Sequence, residues 1–224
     1  MMTDWDNARA NMVESQIRPN AVTDQRLINA MLSVPRERFT PPDKRSLAYC
    51  DGEIAVSESA EGAPPRHLIP PMPFARIVQL AEIADSDHVL DIGCASGYSS
   101  AVIASFAGSV VALEEDEDLA AHAQDLLGEI GIDNVAVVNG RMNEGYPSQG
   151  PYDVIILEGA VDEVPAALFD QLAPGGRLVA AIPGHGVGRV HLFVKTDGSI
   201  GGAPAFDAQL SPLAGFQREP GFSL

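Results

Sequence analysis

The strongest chemical pattern in this 224-residue chain is a glycine turn followed at a distance by an acid. The stretch HVLDIGCASGYSSAVIA, residues 88–104, places Asp91 just before a turn that carries Gly93 and Gly97. Glu114 follows 21 positions after Gly93, at the end of the apolar run SVVAL. An acid at that place can accept hydrogen bonds from both ribose hydroxyls of a bound nucleoside. The pattern therefore predicts a nucleoside site.

The turn lacks the features that hold phosphate groups. Ala95 replaces the middle glycine that lets a backbone approach a pyrophosphate, and no Gly-Lys-Ser/Thr follows for a P-loop. Asp91 would repel phosphates and attract a cation. These observations favour S-adenosyl-L-methionine, which combines an adenosine and a positive sulfonium with no phosphate. The residues predicted to bind it here are Asp91, Gly93, Ala95, Ser96, Gly97, Tyr98, Glu114 and Glu115.

Alternating strands and helices are needed to position these residues, and the sequence from Phe74 onward provides them. The predicted strands are HVLDIG, SVVALEE, NVAVVNG, YDVIILEGA, RLVAAIP and RVHLFVKTDGSI, the last with a turn at Asp197-Gly198. Helical spacing occurs in FARIVQLAEIA, SSAVIASFA, DLAAHAQDLLGEIG and EVPAALFDQLA. The pattern predicts an α/β fold with a Rossmann-like, doubly wound, mostly parallel sheet over residues 74–224.

The first third of the chain has a different sequence pattern. Residues 4–18 and the stretch VTDQRLINAMLSV have helical character, the second with Thr23 or Asp24 as its N-cap. A long proline-rich stretch follows, up to Pro73. We therefore expect residues 1–73 to form N-terminal helices and a substrate-side loop, packed on the core as part of one compact domain.

Charge and composition exclude several classes of function. Residues 1–76 carry a net charge of −1 and residues 77–224 a net charge of −16, which disfavours nucleic-acid binding. No apolar run is long enough for a membrane helix, and the start of the chain is polar, so we expect a cytoplasmic protein. Cys50 and Cys94 are too few for a disulfide framework, and the histidines lack metal-ligand spacing, so no metal is predicted.

The order and spacing of D-x-G-x-x-x-G, the acid after the second strand, YDVIIL and LAPGGRLV resemble class I methyltransferases. The flanks MVESQIRPNAVTDQRLINAMLSVPRERFTPP and GRMNEGYPSQGPYDVIILEGA are similar to protein-L-isoaspartate O-methyltransferases. This resemblance implies transfer of a methyl group to isoaspartyl carboxylates of peptides or proteins, with S-adenosyl-L-homocysteine as product. It also implies a monomer with a cytoplasmic repair role, Arg141 and Met142 beside the adenine, and LSPLAGF as the closing strand.

The chain departs from that family on the acceptor side. Anchored on Pro73, residues 69–73 replace the family's Thr-Ile-Ser-x-Pro stretch, and Pro71 stands at the serine, with neither hydroxyl nor amide donor. Glu158 stands where the family has glycine; it could act as a base, contact the donor or face solvent. No catalytic residue is assigned, and Glu158, Pro71 and Met72 are candidates for the acceptor side.

Three functional readings remain open at this level. The first is isoaspartyl methylation. The second keeps the methyl donor and changes the acceptor to a small molecule or another protein group. The third is a non-enzymatic homologue that binds S-adenosyl-L-methionine. Arg66 and His67, the cations nearest the altered loop, could draw in a substrate anion or lie in solvent.

Overall fold

The computed structural model describes residues 4–58, 64–184 and 186–217. Six α-helices lie in this part of the chain: α1 (Asp4–Met12), α2 (Gln25–Ser33), α3 (Pro71–Leu80), α4 (Tyr98–Ala104), α5 (Glu117–Glu129) and α6 (Ala166–Asp170). The nine strands are β1 (Ile54–Ala55), β2 (His67–Leu68), β3 (His88–Ile92), β4 (Ser109–Glu114), β5 (Val135–Asn139), β6 (Tyr152–Ala160), β7 (Leu172–Ile182), β8 (Arg189–Thr196) and β9 (Ser199–Asp207).

Seven strands form the central sheet, in the order β5-β4-β3-β6-β7-β8-β9. The first five run parallel, and β8 and β9 complete the sheet in antiparallel fashion. Strands β3 and β6 are almost entirely buried because helices cover both faces, which explains their nearly continuous apolar sequences. The prediction of a Rossmann-like, mostly parallel sheet with N-terminal helices is confirmed.

The N-terminal segment packs onto one face of this sheet. Asp24 caps α2, as predicted, with its side chain accepting a hydrogen bond from the backbone N–H of Arg26 at 2.8 Å. One continuous hydrophobic cluster joins Met12, Leu27 and Phe39 to residues of α3, α4 and the sheet. A second cluster, which includes Ile155 of β6, fills the opposite face. This packing brings the segment before α3 close to the carboxyl ends of the strands.

Three expectations about the C-terminal half need correction. Strand β7 begins at Leu172, so that the Pro174-Gly175-Gly176 stretch lies within the strand and α6 ends at Asp170. Strand β9 follows the Asp197-Gly198 turn and was not predicted, because its glycine-rich and exposed sequence lacks apolar alternation. The LSPLAGF segment is not a closing strand; its one β-bridge joins Ala160 to Pro212.

Among the described residues, no helix has the length and apolar character needed to cross a membrane.

Candidate functional site

The turn after β3 has a backbone conformation that few residue types adopt. Gly93, Ala95 and Gly97 all have positive φ, at 82°, 51° and 94°. A Cβ on Gly97 would lie 3.2 Å from the Cβ of Ala123 in α5, so this glycine serves both a positive φ and close packing. Ala95 adopts the same left-handed region with a side chain present, which is unusual outside glycine. The turn therefore holds three residues in this region within a buried segment at the sheet edge.

Glu114 closes β4 and is completely buried. Its Oε2 accepts a hydrogen bond from the N–H of Ala95 at 2.8 Å, and its Oε1 accepts from Glu115 N at 3.0 Å and Asp116 N at 3.3 Å. These three amides tie the carboxylate to both the turn and the start of α5.

Asp91 ends β3 beside the turn and has no solvent exposure. Its Oδ2 accepts hydrogen bonds from Ser99 Oγ at 2.7 Å and Ser100 Oγ at 2.5 Å, whereas its Oδ1 has no partner. Burial raises the pKa of Asp91 to about 6, against the lowering influence of the two serine hydroxyls. Because buried polar atoms are rarely left without a hydrogen bond, the unpartnered Oδ1 indicates a position where a bound molecule can donate one.

Glu158 lies on β6 at the same edge of the sheet and is only 5 % exposed. Its Oε1 also has no hydrogen-bond partner. Burial, with the neighbouring Asp91 charge, holds the pKa of Glu158 well above its ordinary value. Burial thus favours the protonated form of this carboxyl group more than water does.

Two buried arginines complete the site, and the sequence did not reveal their places. Arg66 forms an ion pair with Glu114 and is 7 % exposed at its side chain, so it does not lie in solvent. Arg36 donates to the carbonyl oxygens of Ala48 and Ile69, each at 2.8 Å, and its guanidinium lies 4.5 Å from the ring centre of Tyr98. Its position in the VPRERF segment was the only signal available.

A cavity of about 320 Å³ opens next to Glu114. Such a volume lies at the small end of the range for small-molecule sites. Met142 is fully buried and lines it, as does Glu115. Arg141 does not: its side chain is 73 % exposed and pairs with Glu144 at 3.4 Å. The structure thus brings Met142, and not the Arg141 side chain, to the predicted adenine side.

A narrow cleft lies on the other side of the turn, with a volume of about 10 Å³, the room of one water. One wall is formed by residues of β2, α3 and the link between them: His67, Leu68, Ile69 and Phe74. The facing wall is formed by the turn, the start of α4 and two side chains from elsewhere: Gly93, Cys94, Ala95, Tyr98, Ser99, Arg36 and Glu158. Tyr98 and Glu158 thus both line this cleft.

Three predicted residues have other positions. Ser96 Oγ donates to the carbonyl oxygen of Phe39 at 2.6 Å and so is directed to the N-terminal segment. Pro71 and Met72 begin α3 and do not line the cleft. Residues that precede α3 line the cleft instead, among them His67 and Ile69.

The described residues contain no group of three His, Cys, Asp or Glu side chains that could hold a metal ion. Cys94 is buried, and burial raises its pKa well above the ordinary value, so it is a poor nucleophile at neutral pH. The chemistry of the site rests on carboxyl groups and arginines.

Comparisons with known proteins agree with this architecture. Residues 7–215 match the model of a family described as Protein-L-isoaspartate(D-aspartate) O-methyltransferase (PCMT). A protein-L-isoaspartate O-methyltransferase of Koribacter versatilis is 33 % identical over 209 residues, covering 93 % of this chain and 91 % of that protein. One of Methanoculleus marisnigri is 35 % identical over 207 residues, covering 92 % and 91 %.

Two solved structures share the fold over most of the chain. A protein-L-isoaspartate O-methyltransferase structure superposes with a TM-score of 0.79 at 28 % identity, covering 92 % of this chain and 66 % of the other. A putative protein-L-isoaspartate O-methyltransferase from Plasmodium falciparum, in complex with S-adenosyl-L-homocysteine, gives a TM-score of 0.75 at 19 % identity, covering 94 % and 98 %. At that identity the second likeness concerns the fold alone.

Proposed function

The chain belongs to the protein-L-isoaspartate(D-aspartate) O-methyltransferase family, and on that premise we propose that it transfers a methyl group from S-adenosyl-L-methionine to isoaspartyl carboxylates. The acceptor would be an isoaspartyl residue in a peptide or protein. The observation that carries this proposal is the pair of unpartnered, buried carboxyl oxygens, Asp91 Oδ1 and Glu158 Oε1, at the carboxyl edge of adjacent parallel strands.

Those two oxygens fit the methionyl end of the methyl donor. Its ammonium group supplies the donors that both lack, and burial without such a partner would cost free energy. On the other side of the turn, the carboxylate of Glu114 suits ribose hydroxyls, and the thioether of Met142 suits the face of an adenine ring. When bound, the donor supplies an electrophilic methyl group on a sulfonium.

The acceptor needs little acid–base assistance from the chain. A side-chain carboxylate is already ionised at pH 7 and needs no general base. The task of the protein is to desolvate this anion and hold it in line with the methyl group. Glu158 lines the narrow cleft and has one unpartnered carboxyl oxygen, so it is a candidate contact for the ammonium of the methyl donor.

The acceptor wall is apolar apart from a few groups, which suits this task. Ile69 and Phe74 are buried along the narrow cleft, and His67 is half-buried there. Pro71 does not line the cleft, and the cleft, at about 10 Å³, must widen to admit the acceptor carboxylate.

The test is a methylation assay with a matched pair of peptides. The purified chain is incubated with radiolabelled S-adenosyl-L-methionine and a peptide that contains isoaspartate, or the same peptide with ordinary aspartate. We expect base-labile label on the isoaspartyl peptide only. Absence of label on both peptides, with label appearing on a fraction of a cell extract, would instead assign a different acceptor.

Assembly and location complete the proposal. The family resemblance implies that the chain acts as a monomer. Both cysteines are free, and Cys50 is exposed, which suits the reducing cytoplasm. Sedimentation of the purified chain would test the first point: a dimer at assay concentrations would contradict it.

A further inference from the structure

The contacts of Arg66 point to an internal competitor of the methyl donor. We propose that the Arg66–Glu114 ion pair occupies the ribose-binding face of Glu114, so that the donor binds only by exchanging ribose hydroxyls for this guanidinium. The inference rests on the proposed function in one respect, the role of Glu114 as the ribose acceptor.

The guanidinium of Arg66 makes several short contacts at the turn. Its Nε lies 3.2 Å from Oε1 and 3.3 Å from Oε2 of Glu114, and its Nη2 lies 3.2 Å from Oε2. The same Nη2 donates to the carbonyl oxygen of Gly93 at 2.8 Å. A Cβ on Gly93 would lie 2.6 Å from this Nη2. Arg66 therefore fills the space that the glycine turn leaves open.

The acceptor capacity of Glu114 shows why the two partners must compete. The N–H groups of Ala95, Glu115 and Asp116, which are fixed by the backbone of the turn and α5, donate to the Glu114 carboxylate. Arg66 contacts both carboxylate oxygens and covers the face that these amides leave. Ribose hydroxyls can reach this carboxylate only where Arg66 now binds.

The backbone of Arg66 is held in place while its side chain can leave. The N–H of Arg66 donates to Ser57 Oγ at 2.8 Å, and its carbonyl oxygen accepts from Val56 N at 2.9 Å. These bonds extend the β1–β2 pairing. The long side chain next to the 320 Å³ cavity can swing toward that cavity's polar rim, which includes Glu58 and Asp116. Exchange at Glu114 therefore does not require the hairpin to unpair.

The consequence is a donor affinity lower than the site could reach. A ligand that binds only the open arrangement has its apparent affinity reduced by the fraction of molecules in that arrangement. Because the paired arrangement is buried and multiply hydrogen-bonded, the open fraction is small in the free protein. Substitution of Arg66 by a short neutral residue removes the competitor and leaves Glu114 with its three backbone donors.

Calorimetric titration with S-adenosyl-L-homocysteine tests this directly. We expect Arg66→Ala to bind at least about tenfold more tightly than the unsubstituted chain. That gain follows if the paired arrangement is populated about tenfold or more over the open one in the unsubstituted chain, because the substitution removes the paired arrangement. Arg66→Met keeps much of the bulk without the charge and should show the same gain. Arg189→Ala is the matched control, because it removes one exposed, paired arginine far from the turn and should change affinity less than about twofold.

Equal or weaker binding by Arg66→Ala would overturn the proposal, because the arginine would then be neutral or would help to bind the donor. Tight binding by Arg66→Ala with unchanged binding by Arg66→Met would also overturn it, since bulk and not the ion pair would be responsible. Thermal melts confirm that each variant is folded, and Arg66→Met keeps the test valid if the alanine variant does not fold.

The two proposals fail in different ways. If the chain methylates isoaspartyl peptide but Arg66→Ala gains no affinity, only the competitor is refuted. If both Arg66 variants gain affinity but neither the chain nor its variants methylate the peptide, the acceptor assignment fails and the competitor stands.

Discussion

The two walls of the site differ in the range of the contacts that hold them. The donor wall, residues 91–100 with Glu114, depends mostly on nearer partners: Asp91 bonds to serines 8 and 9 positions on, and Glu114 to an amide 19 positions back, whereas Ser96, which donates to Phe39, is the exception. The acceptor wall, residues 66–74, depends on distant partners: Arg66 reaches Glu114 across 48 positions, and Arg36 reaches Ile69 across 33.

This difference teaches which parts of the molecule tolerate change. The donor wall is fixed by backbone conformation and short-range hydrogen bonds on a rigid sheet, so a substitution there acts through strain. The acceptor wall is fixed by two long arginine side chains, so a substitution there acts through lost polar partners or through release of a side chain. Four substitutions test the contrast.

Gly97→Val should have the largest effect and would show that the donor wall is limited by backbone strain. A β-branched residue at a φ of 94° costs about 1–2 kcal/mol, and crowding against Ala123 adds about 1–3 kcal/mol, so we expect a total loss of roughly 3–4 kcal/mol in the free energy of unfolding. Urea denaturation measures this. Gly175→Ala is the control, since its φ is 79° with open space around it, and it should lose only about 1 kcal/mol. Equal losses of unfolding free energy in the two variants would show that crowding against Ala123 contributes nothing.

Arg36→Ala should weaken the acceptor wall by about 3 kcal/mol. Two buried carbonyl oxygens, those of Ala48 and Ile69, would each lose a donor at a cost of roughly 1–3 kcal/mol, partly offset because a buried charge is no longer desolvated. Arg38→Ala, in the same turn, removes an exposed ion pair with Glu129 and should cost less than about 1 kcal/mol. Similar urea midpoints for the two variants would contradict the structural role of Arg36.

Asp91→Asn should remove a pH-dependent contribution of roughly 2–3 kcal/mol from the free energy of unfolding. The folded pKa of Asp91 is raised to about 6, above the ordinary value of about 3.9, so the unfolded chain releases this proton first. The unsubstituted chain therefore loses stability as the pH rises from about 4 to 6, and Asp91 adds no further change above that range. Measured between pH 4 and 7, the free energy of unfolding of the unsubstituted chain should therefore fall with rising pH relative to that of Asp91→Asn. Parallel curves would show that Asp91 titrates normally.

Ala95→Gly should have the smallest effect and the opposite sign. Relief of the left-handed φ of 51° contributes about 1–2 kcal/mol, less the entropy that glycine adds to the unfolded chain, so we expect a gain of about 0.5–1 kcal/mol. Ala121→Gly, on the exposed side of α5, should lose about 1 kcal/mol instead. A loss at both positions would mean that the turn is not strained at Ala95.

The same contrast explains what could be predicted from the sequence. The alternation of apolar runs and helical segments predicted the sheet and its order of elements, because each strand is covered on both faces and reads as apolar. Asp91, Gly93, Gly97 and Glu114 were identified because they follow strands directly. The departure from the family's glycine drew attention to Glu158, and the structure shows its unpartnered oxygen.

The remaining features depend on tertiary contacts that no local pattern encodes. Arg66 lies in a proline-rich stretch where solvent exposure was the main expectation, and its partner is 48 positions away. Pro71 and Met72 were chosen from the family's Thr-Ile-Ser-x-Pro stretch, whereas the narrow cleft is lined by His67 and Ile69, which a family alignment does not single out. Strand β9 was missed because its exposed, glycine-rich sequence has no alternating pattern.

A crystal structure of the chain with S-adenosyl-L-homocysteine is the most direct test of the central claim. We expect both ribose hydroxyls within hydrogen-bonding distance of the Glu114 carboxylate, the ammonium at Asp91 and Glu158, and the Arg66 guanidinium moved away from Glu114. An empty crevice, or a ligand bound elsewhere while Arg66 remains on Glu114, would contradict the account.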